Sequence, residues 1–442
     1  MAKKFHIVTM GCQMNEYDSD LLAQSLINDG FLPVKEPGDA DLILINTCSV
    51  RAKPEQKALS LLGRMIDIKK RKPGLILGLV GCVAQQGGSG LIERFPELDL
   101  VMGPREVGRV RDCLAEIEER GKKVVAINLD ESPPIPEPCR GYFTGRFTGY
   151  ISIMEGCDNF CSYCIVPFVR GREVSKPPRS IIAEAELLVS EGVRDITLLG
   201  QNVNSYMWKG EGGEVWDFPM LLREVGRIKG LWRLRFTTSH PKDLSKDLIS
   251  CFDQIEALCP HIHLPFQAGS NSVLRRMRRG YTRERYLELI SSLREVRPDI
   301  AISSDVMVGF PGETEYDFEM TLDLIKKVEF DALFSFKYSD RRGTLAEKIQ
   351  PKVEEKEKSR RLATLQSIQR SITLQKNRNL EGKKVMVLVE GVSRRGSQYT
   401  GRTDTNKIVN FTCKYNPIGG LIKVTIKDGL LNSLRGECLM AE

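Results

Sequence analysis

The chain has 442 residues, of which 41% are hydrophobic and 28% are charged, and its formal net charge is +7. This composition is typical of globular proteins, and the length exceeds what one core supports, so two or three domains are expected. Twelve cysteines are too few for a small disulfide-stapled secreted domain, and no run of eighteen apolar residues is present. Without a signal sequence or a spanning segment, we expect a soluble cytoplasmic protein that does not work in a membrane.

The first predicted domain, residues 1–125, repeats one strand-and-helix unit three times. Three short apolar runs of the kind found in buried parallel strands end at Cys12, Cys48 and Cys82. The spacing between these cysteines is the size of one βα unit, and residues 19–30 and 54–70 have helical periodicity. In a parallel α/β sheet the carboxyl ends of the strands share one edge. The sequence therefore predicts that the three cysteines converge.

Three converging thiolates at equivalent positions indicate a metal cluster. Each cysteine alone would pass as a buried structural thiol, because free cysteine is among the most buried residue types. The same placement in three successive units favours a cluster with three protein ligands and one open metal site. The other six cysteines share no such spacing and are interpreted as core or surface thiols: Cys113, Cys139, Cys251, Cys259, Cys413 and Cys438.

A linker at 126–145 is expected to lead to a central domain at 146–350, whose first strand is followed by a cysteine loop. Cys157, Cys161 and Cys164 are spaced so that one short loop can place three thiolates around one iron–sulfur cluster. An electron-carrying cluster is normally held by four cysteines, so the fourth iron is left for a ligand that is not protein. Zinc is the alternative, but zinc favours four Cys or His ligands, and none of the four histidines lies beside this loop.

Strands and helices alternate through the central domain, which predicts a parallel sheet curved into a partial (βα)6 barrel. The six strands are expected at 150–154, 195–199, 233–236, 261–264, 301–308 and 332–338. Polar residues follow or lie in these strands, namely Gln201, Asn202, Ser239, Gln267, Ser270 and Asp305. Each of them alone could be a cap or turn residue. As a ring at the strand ends they suit a zwitterionic cofactor that carries an adenine.

The chain changes character after residue 350. A linker helix is expected at 351–380, and five short strands at 381–442 predict a small β-barrel of a kind that often binds nucleic acid. From Lys376 to Glu442 there are twelve Lys and Arg against six Asp and Glu. Such a domain suits a polyanion, although a solvated basic surface without a partner is the alternative. The candidate RNA contacts are Arg394, Arg395, Arg402 and Lys407 on the barrel loops, with Arg170 and Arg172 in the central domain.

Three features together resemble the radical S-adenosylmethionine (SAM) methylthiotransferases over essentially the whole chain. They are the three cysteines on sheet ends, the second cysteine loop with Tyr163 before its last cysteine, and the basic barrel, which that family calls TRAM. Finer similarities to the branch that acts on isopentenylated adenosine lie at 164–175, 199–206, 238–241, 263–270 and 401–409. The sequence departs from the family at Arg342, at Lys176 and in the glycine cluster 87–90, which leaves the start of the helix after Cys82 open.

The resemblance implies two [4Fe–4S] clusters, each with one open iron, and SAM as the cofactor. At the Cys157/Cys161/Cys164 cluster it implies reductive cleavage of SAM to a 5′-deoxyadenosyl radical, with Tyr163 and the polar ring as cofactor contacts. At the Cys12/Cys48/Cys82 cluster it implies an external sulfur that a second SAM methylates. The product would carry a methylthio group at carbon 2 of the N6-isopentenyladenosine next to the anticodon in tRNA.

The implied partners are tRNA, an electron donor such as flavodoxin or ferredoxin, and a sulfur donor, and a monomer is expected. Two alternatives stay open at this point. A sibling enzyme that acts on threonylcarbamoyladenosine in tRNA, or on a ribosomal protein, would share all six cysteines. A non-enzymatic iron–sulfur protein that binds RNA would be equally basic, but it would have no use for open irons or for a polar cofactor ring.

Overall fold

The structure is a computed structural model that describes residues 2–48, 52–129, 138–393, 396 and 398–438. Its chain forms a parallel sheet with helices, a half-barrel and a closed barrel, in that order. No helix in the described ranges combines the length and the apolar character needed to cross a membrane. Arg394 and Arg395, two of the predicted RNA contacts, lie outside the described residues.

The first unit is a six-stranded sheet with helices on both faces. Its strands are β1 (Lys4–Met10), β2 (Leu32–Pro33), β3 (Leu42–Thr47), β4 (Ile76–Gly81), β5 (Leu100–Met102) and β6 (Val124–Ala126). Its helices are α1 (Gln13–Asn28), α2 (Ala52–Arg71), α3 (Cys82–Gly87), α4 (Ser89–Arg94) and α5 (Val110–Arg120). All strand pairs are parallel, in the order β2-β1-β3-β4-β5-β6. Leu44 and Val80 enter one core and Ile45 and Leu79 the other, as alternate residues of buried strands must.

The glycine cluster after Cys82 divides one helical stretch into two. Helix α3 ends at Gly87 and α4 begins at Ser89, and Gly88 between them has a φ of 50°. Glycine adopts this left-handed conformation without steric cost. The helix that follows β4 therefore begins at Cys82 itself, and the chain turns again six residues later.

The central unit contains the six parallel strands expected of a partial barrel. Its strands are β7 (Thr148–Ser152), β8 (Met154–Glu155), β9 (Val174–Ser175), β10 (Asp195–Leu199), β11 (Met207–Lys209), β12 (Val215–Asp217), β13 (Arg233–Phe236), β14 (His261–His263), β15 (Ala301–Val308) and β16 (Ala332–Lys337). Its helices are α6 (Val166–Arg170), α7 (Pro178–Ser190), α8 (Phe218–Gly226), α9 (Lys246–Gln254), α10 (Asn271–Arg276), α11 (Arg283–Val296) and α12 (Glu315–Val328). The barrel strands form two sheets, β13-β10-β7 and β14-β15-β16, which meet between β13 and β14. The predicted fold class is confirmed.

The last unit is a small closed barrel reached through a long helix. Its elements are α13 (Glu355–Arg378), β17 (Lys384–Val392), β18 (Tyr399–Thr403), β19 (Ile408–Thr412), β20 (Leu421–Gly429) and β21 (Leu434–Cys438). The strands close in the order β17-β18-β19-β21-β20 around a core that includes Val387, Val409 and Phe411. The prediction of five strands in a small barrel is therefore confirmed.

Two cysteines of the last barrel are bonded to each other. Cys413 and Cys438 form a disulfide that joins the ends of β19 and β21. Their interpretation as thiols was wrong, because the parallel pairing of Thr412 with Glu437 places the two following residues side by side. The sequence did not reveal that these two strands are neighbours.

The last barrel closes the amino end of the central half-barrel. Arg233 and Arg235 on β13 donate hydrogen bonds to its backbone carbonyls, at Met386, Arg402, Thr403 and Asp404. The Arg235 guanidinium also pairs with Asp195 at 3.0 Å, and both side chains are at most 7% exposed. Because Asp195 and Arg233 are the first residues of their strands, the last barrel lies at the end of the half-barrel opposite the cysteine loop.

We expect Arg235→Ala to loosen this closure. The substitution leaves the buried Asp195 carboxylate without its cation and two carbonyls without donors, and breaking a buried pair in this way costs about 3–5 kcal/mol. Hydrogen exchange of the backbone amides of β18 should therefore become faster. The control Arg227→Ala breaks the exposed pair with Glu224, which contributes about 0–1 kcal/mol, and should leave that exchange unchanged. Equal exchange in both variants would contradict this account of the closure.

Candidate iron–sulfur and cofactor site

The first cysteine trio meets at the carboxyl edge of the first sheet. Cys12, Cys48 and Cys82 follow β1, β3 and β4, which are adjacent strands. Cys12 and Cys48 are joined by a side-chain hydrogen bond, and Cys12 and Cys82 interact electrostatically. A Cβ atom on Gly11 would stand only 2.7 Å from the Cβ of Cys48, so the two loops pack against each other. The predicted convergence of the three thiols is thus observed.

A buried amide network that the sequence analysis did not identify holds this trio. The Asn15 side chain accepts a hydrogen bond from the Cys12 thiol at 3.3 Å and donates one to Asn46 at 2.9 Å. Asn46 in turn donates to Ser19 at 3.0 Å, and both asparagines are fully buried. Gly81, with a φ of 91°, passes so close to Asn46 that a Cβ atom would clash there. The only sequence signal was that Asn46 and Gly81 lie near the cysteines.

The surroundings of this trio shift the pKa values of Cys12 and Cys82 in opposite directions. The hydrogen bond from Cys48 lowers the pKa of Cys12 to about 6. Burial raises the pKa of Cys82, and the nearby Arg170 guanidinium acts against that rise. Because the thiolate and not the thiol binds metal, the lowered pKa favours the form of Cys12 that can act as a ligand, in which it no longer donates to Asn15.

The second trio lies in the loop between β8 and α6. The side chain of Asn159 donates to the Cys157 sulfur at 3.5 Å, and Arg279 donates to the Cys161 sulfur at 3.4 Å. Arg279 is only 5% exposed, and its other amino group binds the carbonyl of Pro265 at 2.9 Å. Arg279 ends a run of four arginines between residues 275 and 279, and nothing in the local sequence indicates that it is buried against a cysteine.

The two trios lie on opposite sides of the boundary between the first two units. Cys82 packs against Ile165 and Val169, and Ile165 is the residue that follows Cys164. The Arg170 guanidinium, which ends α6, donates to Asp18 of α1 at 2.5 Å. These contacts bring the element that carries the second trio against Cys82 of the first.

The donor sets fit iron–sulfur clusters. Among the described residues, no three His, Cys, Asp or Glu side chains are spaced to hold a single metal ion. Each iron of a [4Fe–4S] cluster takes its own cysteine, so that cluster does not require the close spacing that one ion demands. The assignment of the six cysteines as cluster ligands stays a prediction that this chemistry supports.

Three residues of the predicted cofactor ring have buried polar atoms without a partner in the described chain. These atoms are Oε1 of Gln201, Oδ1 of Asn202 and Oγ of Ser239. Nε2 of the neighbouring His240 is also buried without a hydrogen-bond partner in the described chain. A buried polar atom that lacks a hydrogen bond costs about 1–3 kcal/mol. Since these atoms follow β10 and β13 at the end of the half-barrel that carries the cysteine loop, they fit the polar groups of a bound SAM.

The other predicted cofactor contacts differ in their present partners. The hydroxyl of Ser270 donates to Asp317, and Gln267, with a φ of 64°, exchanges backbone hydrogen bonds with β15. Tyr163 is half-buried, and burial raises the pKa of its hydroxyl. Asp305 lies 3.5 Å from the ring of His263. The contacts of these four residues with a cofactor stay predictions, and Ser270 would have to share its hydroxyl.

An aromatic side chain is exposed on the concave face of the second barrel sheet. Phe334 is paired with Asp305 in the sheet register, its side chain is 48% exposed, and its ring centroid lies 5.9 Å from that of His263. The next residue, Ser335, contacts α13 on the opposite face. Exposed aromatic rings are the surfaces on which proteins stack unpaired bases.

The predicted RNA contacts are placed very differently from one another. Arg172 is 72% exposed and lies over the ring of Phe160, whereas the side chain of Arg170 is only 4% exposed. Arg402 lies within β18 and not on a loop, where it pairs with Glu390 at 3.1 Å. Lys407 is mostly buried between Asp331 and Asn377. RNA binding by all four stays a prediction, and only Arg172 presents its charge largely to solvent.

Three family models match successive parts of the chain. They are "Uncharacterized protein family UPF0004" over residues 4–103, "Radical SAM superfamily" over 151–325 and "TRAM domain" over 378–439. Among solved structures, the radical SAM methyltransferase TsrM from Kitasatospora setae, with cobalamin and a [4Fe–4S] cluster bound, is 18% identical. It aligns with a TM-score of 0.57 over 78% of this chain and 77% of its own. That likeness concerns the fold alone.

Much closer relatives span the whole chain. A tRNA-2-methylthio-N(6)-dimethylallyladenosine synthase from Syntrophus aciditrophicus is 48% identical over 100% of this chain and 95% of its own length. Synthases of the same name from Syntrophobacter fumaroxidans and Geobacter sulfurreducens are 49% and 48% identical, each over 98% of this chain and over 95% and 97% of their own. The chain therefore belongs to the radical SAM methylthiotransferase family, in the group of the tRNA-2-methylthio-N(6)-dimethylallyladenosine synthases.

Proposed function

We propose that this protein is the enzyme that adds a methylthio group to carbon 2 of N6-isopentenyladenosine next to the anticodon in tRNA. The reaction uses two [4Fe–4S] clusters and two SAM molecules. The observation that carries the proposal is the packing of Cys82, from the first trio, against Ile165 and Val169, which follow the second. A base at this boundary can meet both metal sites, and the full-length relatives are named for this product.

Each group of residues has a separate task in this reaction. Carbon 2 of adenine offers no acidic proton and no leaving group, so the clusters and SAM, when bound, supply the radical, the sulfur and the methyl group. Cys157, Cys161 and Cys164 would hold one cluster, and Cys12, Cys48 and Cys82 the other. The unpartnered atoms of Gln201, Asn202 and Ser239 would orient SAM. The last barrel would exclude water from the amino end of the half-barrel.

The target base has to leave the stack of the anticodon loop before it can reach the boundary between the trios. Extruded bases are received by aromatic or guanidinium surfaces. Phe334 on the concave face and the exposed Arg172 beside the cysteine loop are suited to the base and to a phosphate, respectively. The basic barrel would add further phosphate contacts, which make the affinity dependent on salt.

The proposed partners follow from the same chemistry. Reductive cleavage of SAM requires a one-electron donor, such as flavodoxin or ferredoxin, and each turnover consumes a sulfur that a donor has to replace. We expect the enzyme to act as a monomer in the cytoplasm, where its tRNA substrate is found.

Alanine substitutions should distinguish the tasks of the two trios in the enzyme reconstituted with iron and sulfide. Cys157→Ala should abolish formation of 5′-deoxyadenosine, because SAM loses its cluster. Cys48→Ala should retain some deoxyadenosine but form no methylthio nucleoside, as measured by mass spectrometry. Cys113→Ala, which changes a buried cysteine in the core of the same first sheet, is the matched control and should retain both activities. Full product from Cys48→Ala would refute the role of the first trio.

Arg279 should tune the reduction potential of the cluster held by the cysteine loop. Hydrogen bonds to cluster sulfurs and nearby positive charge raise such potentials. Loss of one charge-assisted hydrogen bond, about 1.5–3 kcal/mol, corresponds to a shift on the order of 100 mV. A redox titration followed by electron paramagnetic resonance should therefore give a lower potential for Arg279→Met. The control Arg278→Met changes the exposed neighbour and should leave the potential in place, and an unshifted Arg279→Met would contradict this role.

The choice of acceptor is tested with three substrates side by side. Anticodon stem-loops that contain N6-isopentenyladenosine or N6-threonylcarbamoyladenosine, and a ribosomal protein, are each incubated with the reduced holoenzyme and SAM. We expect the methylthio product from the isopentenylated stem-loop only. The tRNA of a strain that lacks this protein should accumulate N6-isopentenyladenosine without the 2-methylthio group. Preferred modification of either other acceptor would overturn the assigned substrate.

A further inference from the structure

Three buried charged side chains lie where the first unit contacts the central one. Arg170 at the end of α6 donates a hydrogen bond to Asp18 of α1 at 2.5 Å, and the two side chains are 4% and 2% exposed. Glu155 of β8 is 7% exposed and interacts electrostatically with Arg170. Burying charges is expensive unless each is paired, so this group requires an explanation.

The guanidinium of Arg170 is directed towards the first cysteine trio. It interacts electrostatically with the thiols of Cys12 and Cys82. The helix that carries Arg170 packs on Cys82 through Val169. Arg170 is therefore a cation at the edge of the cluster proposed at the first trio, although it belongs to the domain that carries the second trio.

One donor atom of this cation is not used. The Asp18 carboxylate engages Nη2, whereas Nη1 of Arg170 is buried and has no hydrogen-bond partner among the described residues. A guanidinium has five N–H donors in a fixed plane, and an unused buried donor is rare in native proteins. A free N–H beside thiolates, on a full positive charge, is suited to an anionic ligand.

Two simpler roles account for less of this geometry. A phosphate of RNA would require access, which the exposed Arg172 has and the buried Arg170 does not. A purely structural ion pair with Asp18 would join the two units, but it would leave Nη1 without a purpose. Arg146 and Asp20 already form such a joining pair from the same helix α1, at 2.8 Å and with the arginine 44% exposed.

We propose that Arg170 is the positioning residue for the anionic sulfur ligand of the cluster at Cys12, Cys48 and Cys82, and that it holds this ligand by a hydrogen bond from Nη1. The ligand class is a small thiolate or hydrosulfide bound at the open iron. Asp18 of α1 holds the guanidinium through Nη2, which leaves Nη1 for the ligand. The proposal rests on the function given above, because it presumes a cluster with an exchangeable site at Cys12, Cys48 and Cys82.

The test measures binding of methanethiolate to the holoenzyme, without turnover. The double variant Asp18→Asn/Arg170→Met neutralises both partners at similar volume and leaves no buried charge alone. After iron and sulfide analysis has verified both clusters, methanethiolate is titrated and followed by the electron paramagnetic resonance of the reduced protein. Selenium-labelled methylselenolate gives a hyperfine signature of ligation. We expect about tenfold or greater weakening in the double variant, as for a lost charge-assisted hydrogen bond.

The matched control is Asp20→Asn/Arg146→Met, which removes the other ion pair of α1 and should leave the methanethiolate affinity unchanged. Deoxyadenosine formation without RNA should also be unchanged in this control variant. If the neutral pair fails to retain its iron, Arg170→Lys carries the test, since it keeps a cation for Asp18 but loses the planar fork, and weaker thiolate binding is again expected.

Equal thiolate affinity in the loaded variants would overturn the proposal, and so would weaker binding of the anticodon stem-loop with unchanged thiolate affinity. Absence of thiolate binding to the wild-type protein with both clusters loaded would also overturn it. Failure of the wild type to form the methylthio nucleoside, with normal thiolate binding and a clear effect of the double variant, would refute the proposed function but support the role of Arg170.

Discussion

The fixed position of α1 against the central half-barrel is the constraint on which the site depends. In the proposed reaction neither trio of thiols acts on the base alone, so the two separately built units have to keep one relative position. The Asp18–Arg170 pair provides it in the interior, and Arg105 donates to the backbone of Arg172 from the first unit. Charged contacts are less stabilising than apolar ones of similar size, but they require one geometry. The boundary therefore trades some stability for a defined orientation of two reactive centres.

Local patterns were sufficient to predict most of the architecture. The apolar runs that end at Cys12, Cys48 and Cys82 gave parallel strands, and the topology of βα units then required their carboxyl ends to meet. The same logic placed Gln201, Asn202 and Ser239 at one end of the half-barrel, where three of their buried atoms lack partners in the described chain. These inferences succeeded because strand periodicity and connection length are short-range properties that a single sequence retains.

The remaining features depend on partners that are distant in the chain. Arg170 and Lys407 looked like surface cations, since nothing near them in sequence indicated Asp18, 152 residues away, or Asp331. Cys413 and Cys438 looked unrelated until β19 and β21 proved to be neighbours. The amide network of Asn15 and Asn46 has the same origin, because burial converts ordinary polar residues into supports for a loop. Composition can indicate that a residue is charged, but it cannot indicate what faces it.

The last barrel closes the amino end of the half-barrel, and this contact also affects how a shortened enzyme would behave. Arg233 and Arg235 donate hydrogen bonds to the backbone of that barrel, so the domain proposed to bind RNA also covers the amino end of the half-barrel. A chain truncated after α13 would lose more than affinity for its substrate. It would also expose the amino end of its half-barrel to bulk water, together with the Arg233 and Arg235 guanidinium groups that bind carbonyls of the last barrel. The buried Asp195–Arg235 pair would then face solvent, so such a fragment is expected to be less stable in the half-barrel itself.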